Sequence, residues 1–415
     1  MTQVIEQIKV KEIEQGKEKR NVPELRFKEF EDEWEEKKLG NFLIRSNDIT
    51  TEHTDIPVLT SSRKGLFFQS EYFNRKISAD DTTGYNILKK GYFTYRYMSD
   101  DSIFHFNINK LIDIGLVSPE YPVFTTNKNL DSYFLENHLN NSLQFFKFCK
   151  MQKKGGTRTC LYFNVLETYK IKIPSIQEQK KIADFFSLVD KKIEKQSEKV
   201  EALKTYQKGI MQKIFKQEIR FKAENGEEYP EWEEKRLGDV LNEVNEKTTV
   251  NNQYEILSST ANGILKQSEY FNREIASNNN IGYKVLRYNQ IVLSPQNLWL
   301  GNINYNDKFT SGLVSPSYKV FNIDCKYNSK YISYIIKTNR MLNEYKNASE
   351  QGASVVRRNL NTDLFYDIKV IIPILEEQTK IAEFLTTIDE KMDKEEKKLE
   401  ELKVWKKGLL QKMFV

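Results

Sequence analysis

The sequence predicts an α+β protein in which two similar mixed α/β domains are separated by two long antiparallel helices forming a coiled-coil spacer, with internal pseudo-two-fold symmetry. Three observations predict it. Segments of the first half recur in the second at a nearly constant offset. Each half alternates short apolar runs with turn residues. Each half then ends in a sustained heptad pattern.

The repeat comes first because the other elements follow from it. Trp34-Glu35-Glu36-Lys37-Lys38-Leu39-Gly40 returns as Trp232-Glu233-Glu234-Lys235-Arg236-Leu237-Gly238. The heptapeptide Gln69-Ser70-Glu71-Tyr72-Phe73-Asn74-Arg75 returns unchanged at 267–273, and Gly84-Tyr85 returns as Gly282-Tyr283. Gly115-Leu116-Val117-Ser118-Pro119 returns at 312–316, and Ile182-Ala183 as Ile381-Ala382. Matches in one order with so steady an offset mean a tandem duplication. They divide the chain into a lead segment (1–21), a first domain (22–174), a first helix (175–216), a second domain (217–373) and a second helix (374–415).

Within each domain, runs such as Ile87-Leu88, Tyr92-Phe93-Thr94-Tyr95 and Ile291-Val292-Leu293 are β-branched or aromatic and bounded by Asn, Gly and Ser. That composition predicts strands. Helices are expected at 143–151 and 330–345.

The two long helices show heptad spacing. Ile182, Phe186, Val189, Ile193, Gln196, Val200, Leu203, Gln207, Ile210 and Ile214 fall at alternating four- and three-residue steps. The second copy gives Ile381, Leu385, Ile388, Met392, Glu395, Leu399, Leu402, Lys406, Leu409 and Met413. Pro174 and Pro373 stand just before the expected helix starts. The polar exceptions fall at matching positions, where a polar seam residue sets register. Gly209 and Gly408 lie inside the helices at a cost of roughly 1 kcal/mol each relative to Ala. They mark either a close backbone approach or a tolerated surface position. The simplest way to bury two such stripes is against each other, antiparallel. About 33 residues per helix gives roughly 50 Å at ~1.5 Å per residue. Two similar readers held apart suit a long repetitive ligand such as duplex DNA. Homo-oligomerisation is the alternative use of such a stripe.

Composition narrows the class. The chain has 415 residues, 39% apolar and 30% charged, with net charge +5. This is ordinary globular material. The first domain carries +1 and the second 0, so nucleic-acid binding must rest on local patches rather than bulk charge. No long apolar run suggests a membrane span or signal peptide. Cys149, Cys160 and Cys325 are odd in number and dispersed, which fits a reducing cytoplasm better than a disulfide framework. His53, His105 and His138 are widely spaced and no Cys-x-x-Cys occurs, which argues against a metal site. No Asn/Asp-Pro-Pro-Tyr/Phe motif, no Gly-x-Gly run after a strand and no Gly-x-x-x-x-Gly-Lys-Ser/Thr phosphate loop is present. The carboxylate pairs Asp80-Asp81 and Asp100-Asp101 read as turn caps rather than catalysts.

The motifs together resemble the specificity subunit of type I restriction-modification systems. The resemblance spans residues 23–414. It is carried by Pro23-Glu24-Leu25-Arg26-Phe27, by the Trp34 and Trp232 segments, and by the two Gly-Leu-Val-Ser-Pro-x-Tyr segments. It is carried further by Ile-Pro followed by Glu178-Gln179-Lys180-Lys181-Ile182-Ala183 and Glu377-Gln378-Thr379-Lys380-Ile381-Ala382. It implies two target-recognition domains, each reading half of a bipartite, asymmetric site on double-stranded DNA. It also implies a helical spacer that docks two methyltransferase subunits, and two restriction and translocase subunits that complete the complex. Catalysis, S-adenosylmethionine and ATP would belong to those partners, and the resemblance implies a bacterial, cytoplasmic protein. This chain would be a non-catalytic subunit without a cofactor.

Stretches that are basic or amide-rich and free of acids supply the candidate DNA contacts. Residues 137–166 hold Lys153, Lys154 and Arg158 around Gly155-Gly156, with Arg357 and Arg358 as the counterpart in copy two. Residues 275–306 hold Tyr283, Lys284, Gln296, Asn297 and Trp299, facing Tyr85 and Arg96 in copy one. Arginine suits guanine, and Asn or Gln suits adenine. Arg63 and Lys64 rank below these, and Trp34 and Trp232 read as packing residues. The rival from another class is a coiled-coil scaffold with two protein-binding domains. Steep weakening of binding with salt separates DNA from that rival.

Overall fold

The computed structural model describes residues 8–10, 21–73, 81–270, 279–351 and 358–414. The chain divides into two compact units. The first takes residues 1–198 and 396–415, and the second takes 199–395. This division cuts both long helices midway, whereas the sequence boundaries gave each helix a segment of its own. The reason is packing: each unit contains the start of one helix and the end of the other.

In the first unit, β1 (Leu43–Ser46), β2 (Phe93–Tyr95), β3 (Phe106–Ile108) and β4 (Val123–Thr126) form an antiparallel sheet in the order β3-β2-β4-β1. Phe93 and Phe124 face each other in register and stack with ring centroids 4.8 Å apart. The first long helix, α1, runs from Ile176 to Phe215. In the second unit, β5 (Leu241–Val244), β6 (Ile291–Leu293), β7 (Ile303–Tyr305) and β8 (Lys319–Ile323) repeat the sheet in the order β7-β6-β8-β5. The second long helix, α2, runs from Leu375 to Met413. The expected helix at 330–345 is two helices, Ser329–Ile335 and Asn339–Asn347. Thr338 breaks it, because its hydroxyl accepts the Met341 N–H as an N-cap. In the lead segment, Ile8–Val10 pairs with Leu25–Phe27.

Each long helix is rooted by the same side chains. The Glu178 carboxylate accepts both arms of Arg26, at 2.8 and 2.7 Å, and the Trp34 indole N–H. Glu377 accepts Arg220, at 3.3 and 2.9 Å, and the Trp232 indole N–H. Both carboxylates are buried. The adjacent Gln179 accepts the backbone N–H of Asp131 and donates to the Pro174 carbonyl, and Gln378 does the same with Asn328 and Pro373. The Glu-Gln pair that recurs in both copies is therefore a buried polar junction. Because it precedes the heptads, the helices are longer than the heptads alone predict: 40 and 39 residues, or about 60 Å each.

The heptad stripes are buried as expected. Ile182, Phe186, Val189 and Val200 on α1 are buried, as are Ile381, Leu385, Ile388, Leu399 and Leu409 on α2. Ile193, Leu203, Ile210, Met392 and Leu402 are half-buried. Within the first unit, Lys406 of α2 reaches Asp190 of α1 at 2.6 Å, and Phe414 packs on Phe186. Within the second, Gln207 donates to Asp389 and Lys199 reaches Glu395. Low numbers on one helix meet high numbers on the other, so the helices are antiparallel. Among the described residues nothing beyond the helix's own backbone lies within 4 Å of a Cβ placed on Gly209 or Gly408. Neither glycine marks a crossing of the two helices.

Gly115 and Gly312 explain another repeated motif. A Cβ there would lie 2.5 Å and 2.2 Å from the Cδ1 atoms of the buried Leu59 and Leu257. No membrane-crossing helix occurs among the described residues.

Two predictions follow from this packing. Glu178→Ala leaves Arg26 and the Trp34 N–H without their acceptor. It should destabilise the first unit by about 3 kcal/mol, read as a lowered denaturant midpoint in chemical unfolding. The second concerns His138, which is enclosed beside Phe414, with Nε2 2.9 Å from the Tyr169 hydroxyl. Burial holds its pKa down to about 3. The unfolded chain therefore binds the extra proton first, and stability is lost as pH falls from about 6.5 toward 3. His138→Gln should flatten the pH dependence of the unfolding free energy across that window.

Candidate nucleic-acid interface

The first unit brings Arg63 and Arg158 to one turn, Asp100-Asp101. The hairpin Leu59–Ser62 and Gly65–Phe68 presents Arg63 and Lys64 at its tip. Gly65 there takes φ +130°, a conformation closed to other residues. Asn107 anchors the hairpin by donating to the Ser61 hydroxyl at 2.7 Å and the Ser62 carbonyl at 3.0 Å. Opposite it is the turn after Met98–Ser99. Asp101 accepts from Arg63 at 2.5 Å, from the Ser99 hydroxyl at 2.8 Å and from the Ile103 N–H at 3.1 Å. The Arg63 hydrogen bond is the main reason the Asp101 carboxyl is held down to about 2. Its neighbour Asp100 accepts Arg158 Nε at 2.9 Å.

The turn is tied to the strand that follows Arg158. Ser102 sits at φ +64°, an uncommon conformation for a residue other than glycine. Its buried hydroxyl lies 2.7 Å from that of Thr159. Hairpin, turn and strand thus converge, with Arg63 and Arg158 each about half exposed. Lys153 and Lys154 are exposed in the adjoining loop, where Gly155 and Gly156 both have positive φ. Arg96 is exposed between Tyr95 and Tyr97.

The second unit keeps the hairpin and changes its side chains, while its facing turn is a short 3-10 helix, Leu298–Leu300, and the strand Arg358–Leu360 pairs with Ser349–Gln351. Its hairpin, Leu257–Thr260 and Gly263–Lys266, carries Ala261 and Asn262 at the tip. Asn304 anchors it to the Ser259 hydroxyl and the Thr260 carbonyl at 2.7 and 2.8 Å. Trp299 stands where the repeat offset places Asp101. The Arg358 guanidinium lies over its ring, 4.6 Å from the centroid, and the Arg358 N–H donates to the Gln296 carbonyl. Gln296 is exposed, and Asn297 is half-buried. Arg357 lies outside the described residues.

Three of the expected residues lie elsewhere. Lys284 is not a surface cation. It is buried in the strand Lys284–Arg287 with its ammonium 3.9 Å from Glu243, and burial lowers its pKa. The physical reason is that both faces of that strand are covered, with Lys284, Val285 and Leu286 all buried in succession. Tyr85 and Tyr283 are half-buried in turns leading into Asn86–Lys89 and Lys284–Arg287, strands that belong to two-stranded sheets of their own. Sequence reasoning read Asp100 and Asp101 as turn caps. Asp101 does cap its turn, but it also holds Arg63 from 38 residues away. No spacing in the sequence signals that pairing. The non-glycine turn Ser99-Asp100-Asp101-Ser102 beside an acid-free stretch was the available hint.

Known proteins share this organisation. The chain matches the family described as type I restriction modification DNA specificity domain twice, over residues 31–204 and 229–404. It is 25% identical to the putative type I restriction enzyme MjaX specificity subunit of Methanocaldococcus jannaschii, over 76% of this chain and 78% of that one. It is also 25% identical to the MjaVIII specificity subunit of the same organism, over 63% of this chain and 65% of the relative. Its fold is similar to the crystal structure of a type I restriction-modification S subunit from M. genitalium. That likeness has a TM-score of 0.54 at 16% identity, covering 95% of this chain and 99% of the other.

Proposed function

The chain belongs to the type I restriction modification DNA specificity family, and on that premise we propose that it reads a bipartite, asymmetric DNA site, one half with each unit. It is the specificity subunit of such a system, the component that does not itself catalyse. The single observation that carries the bipartite reading is the contrast between the two units. One hairpin, tied down by Asn107 or by Asn304, occurs twice, yet its tip differs, Arg63-Lys64 against Ala261-Asn262, and the facing turn carries Asp101 in one unit and Trp299 in the other. A shared hairpin with different side chains at and beside its tip suits two half-sites of different sequence, since base edges are read by side-chain donors and acceptors.

In this reading Arg63, Arg96 and Arg158 face the first half-site, with Lys64, Lys153 and Lys154 on phosphates. Gln296, Asn297, Trp299 and Arg358 serve the second. The long helices act as the spacer that sets the unread gap and as the dock for two methyltransferase subunits. Two restriction and translocase subunits complete the assembly. The partners supply S-adenosylmethionine, ATP and all bond-making chemistry. The unbroken α1 and α2, with polar pairs fixing their register, support a spacer of defined length.

Mapping adenine methylation across a genome, with and without this chain beside its methyltransferase partner, tests the proposal. The chain should confer one bipartite motif, and Arg158→Ala should relax one half of that motif while leaving the other intact. Loss of both halves, or of neither, contradicts the assignment. A second prediction concerns the gap. Inserting one heptad in both long helices keeps the seam and adds about 10 Å. It should widen the gap by about 3 base pairs at ~3.4 Å each, and an unchanged gap refutes the spacer.

A further inference from the structure

The acidic turn of the first unit is not explained by folding. Its ion pairs, Asp100–Arg158 and Asp101–Arg63, join side chains that are roughly half exposed or more, and such pairs add little to stability. The turn also holds Ser102 at φ +64°, which carries a conformational cost for a non-glycine residue. A buried hydroxyl pair, Ser102 and Thr159, keeps it in place. Strain maintained by surrounding structure at a surface cluster points to use rather than packing.

The chemistry of the cluster narrows the use. Two exposed carboxylates would repel a phosphate, so this spot is ill suited to the DNA backbone. A base edge is different. Asp100 takes Nε of Arg158, and among the described residues no partner takes its two terminal nitrogens. Asp101 instead takes Nη2 of Arg63, which also reaches the Ile103 carbonyl at 3.5 Å, so that the Nε and Nη1 of Arg63 meet no partner among the described residues. A guanine presents O6 and N7 as acceptors that match such a fork, and a carboxylate can accept the amino group of the paired cytosine. In the second unit the equivalent positions are Ala261 and Trp299, and Arg358 is held on an indole face instead.

We propose that Asp100 and Asp101 are positioning residues that hold Arg158 and Arg63 for a guanine edge, so that the first unit's half-site requires a G·C pair. The inference rests on the reading of the first unit as a DNA half-site reader, and goes beyond it by naming the base pair and the residues that enforce it. Asp101→Asn keeps shape and removes charge, and Asp100→Asn does the same for Arg158. Each should weaken the preference for G·C at one position of one half-site by about tenfold. The rest of the motif and the thermal midpoint should be unchanged, which loss of a merely structural contact would not produce.

The test is selection from a randomised duplex library by the chain assembled with its methyltransferase partner, for wild type and both variants. Arg63→Lys is included because it keeps charge and loses the fork, and it decides the matter should either Asp variant fold poorly. Relaxation confined to one G·C position supports the proposal. Unchanged preference in all three variants overturns it, as does a wild-type half-site dependent on Arg158 that contains no G·C pair. A wild-type complex that selects no sequence would instead overturn the underlying reading of the chain as a DNA specificity subunit.

Discussion

The structure depends on a buried carboxylate at the foot of each long helix. Glu178 and Glu377 lie in the first turns of α1 and α2, where the helix dipole already favours negative charge. Each then gathers an arginine fork and an indole N–H from the segment that opens its domain. The neighbouring glutamine satisfies the backbone on the other side. A buried charge is tolerable only when so fully partnered. The consequence is that a helix cannot tilt away from its domain without exposing an unpaired carboxylate. That constraint turns a flexible attachment into a fixed one.

The second dependency is mutual completion. Leu409, Leu410 and Met413 from the end of α2 belong to the first unit's core, beside Trp34, Phe134 and Phe186. Ile214 from the end of α1 belongs to the second unit's core, beside Trp232 and Tyr331. Neither core closes with its own contiguous segment. The polar seam positions specify which end goes where. Lys406 meets Asp190 while Gln207 meets Asp389, so repeat-equivalent residues make repeat-equivalent contacts. Register is written in the only positions of the stripe that are not interchangeable grease.

Much of the frame was legible in the sequence, because the duplication and the heptads are periodic and periodicity survives without coordinates. The stripe from Ile182 to Ile214 and its counterpart predicted the antiparallel pair and its buried face. Local contrasts were harder. The break at Thr338 came from a single capping hydroxyl inside an otherwise helical pattern. Lys284 was misplaced because an acid-free stretch looks the same whether its lysine points out or in. The Arg63–Asp101 and Arg158–Asp100 pairs joined residues 38 and 58 apart, and only the folded hairpin and turn bring them together. The Glu-Gln pair was recognised as a motif, while its physical role needed its partners Arg26 and Arg220 in view.

The contacts that fold each unit are separate from the side chains proposed to read DNA. The frame is held by Asn107 and Asn304, by Gly115 and Gly312, and by the two carboxylate junctions. The exposed tips bear no part of that load. The most direct measurement of this account is a hydroxyl-radical footprint of the chain, assembled with its methyltransferase partner, on a duplex carrying its motif. Two protected tracts of different sequence, separated by an unread stretch, are predicted. One continuous tract, or protection indifferent to sequence, would contradict it.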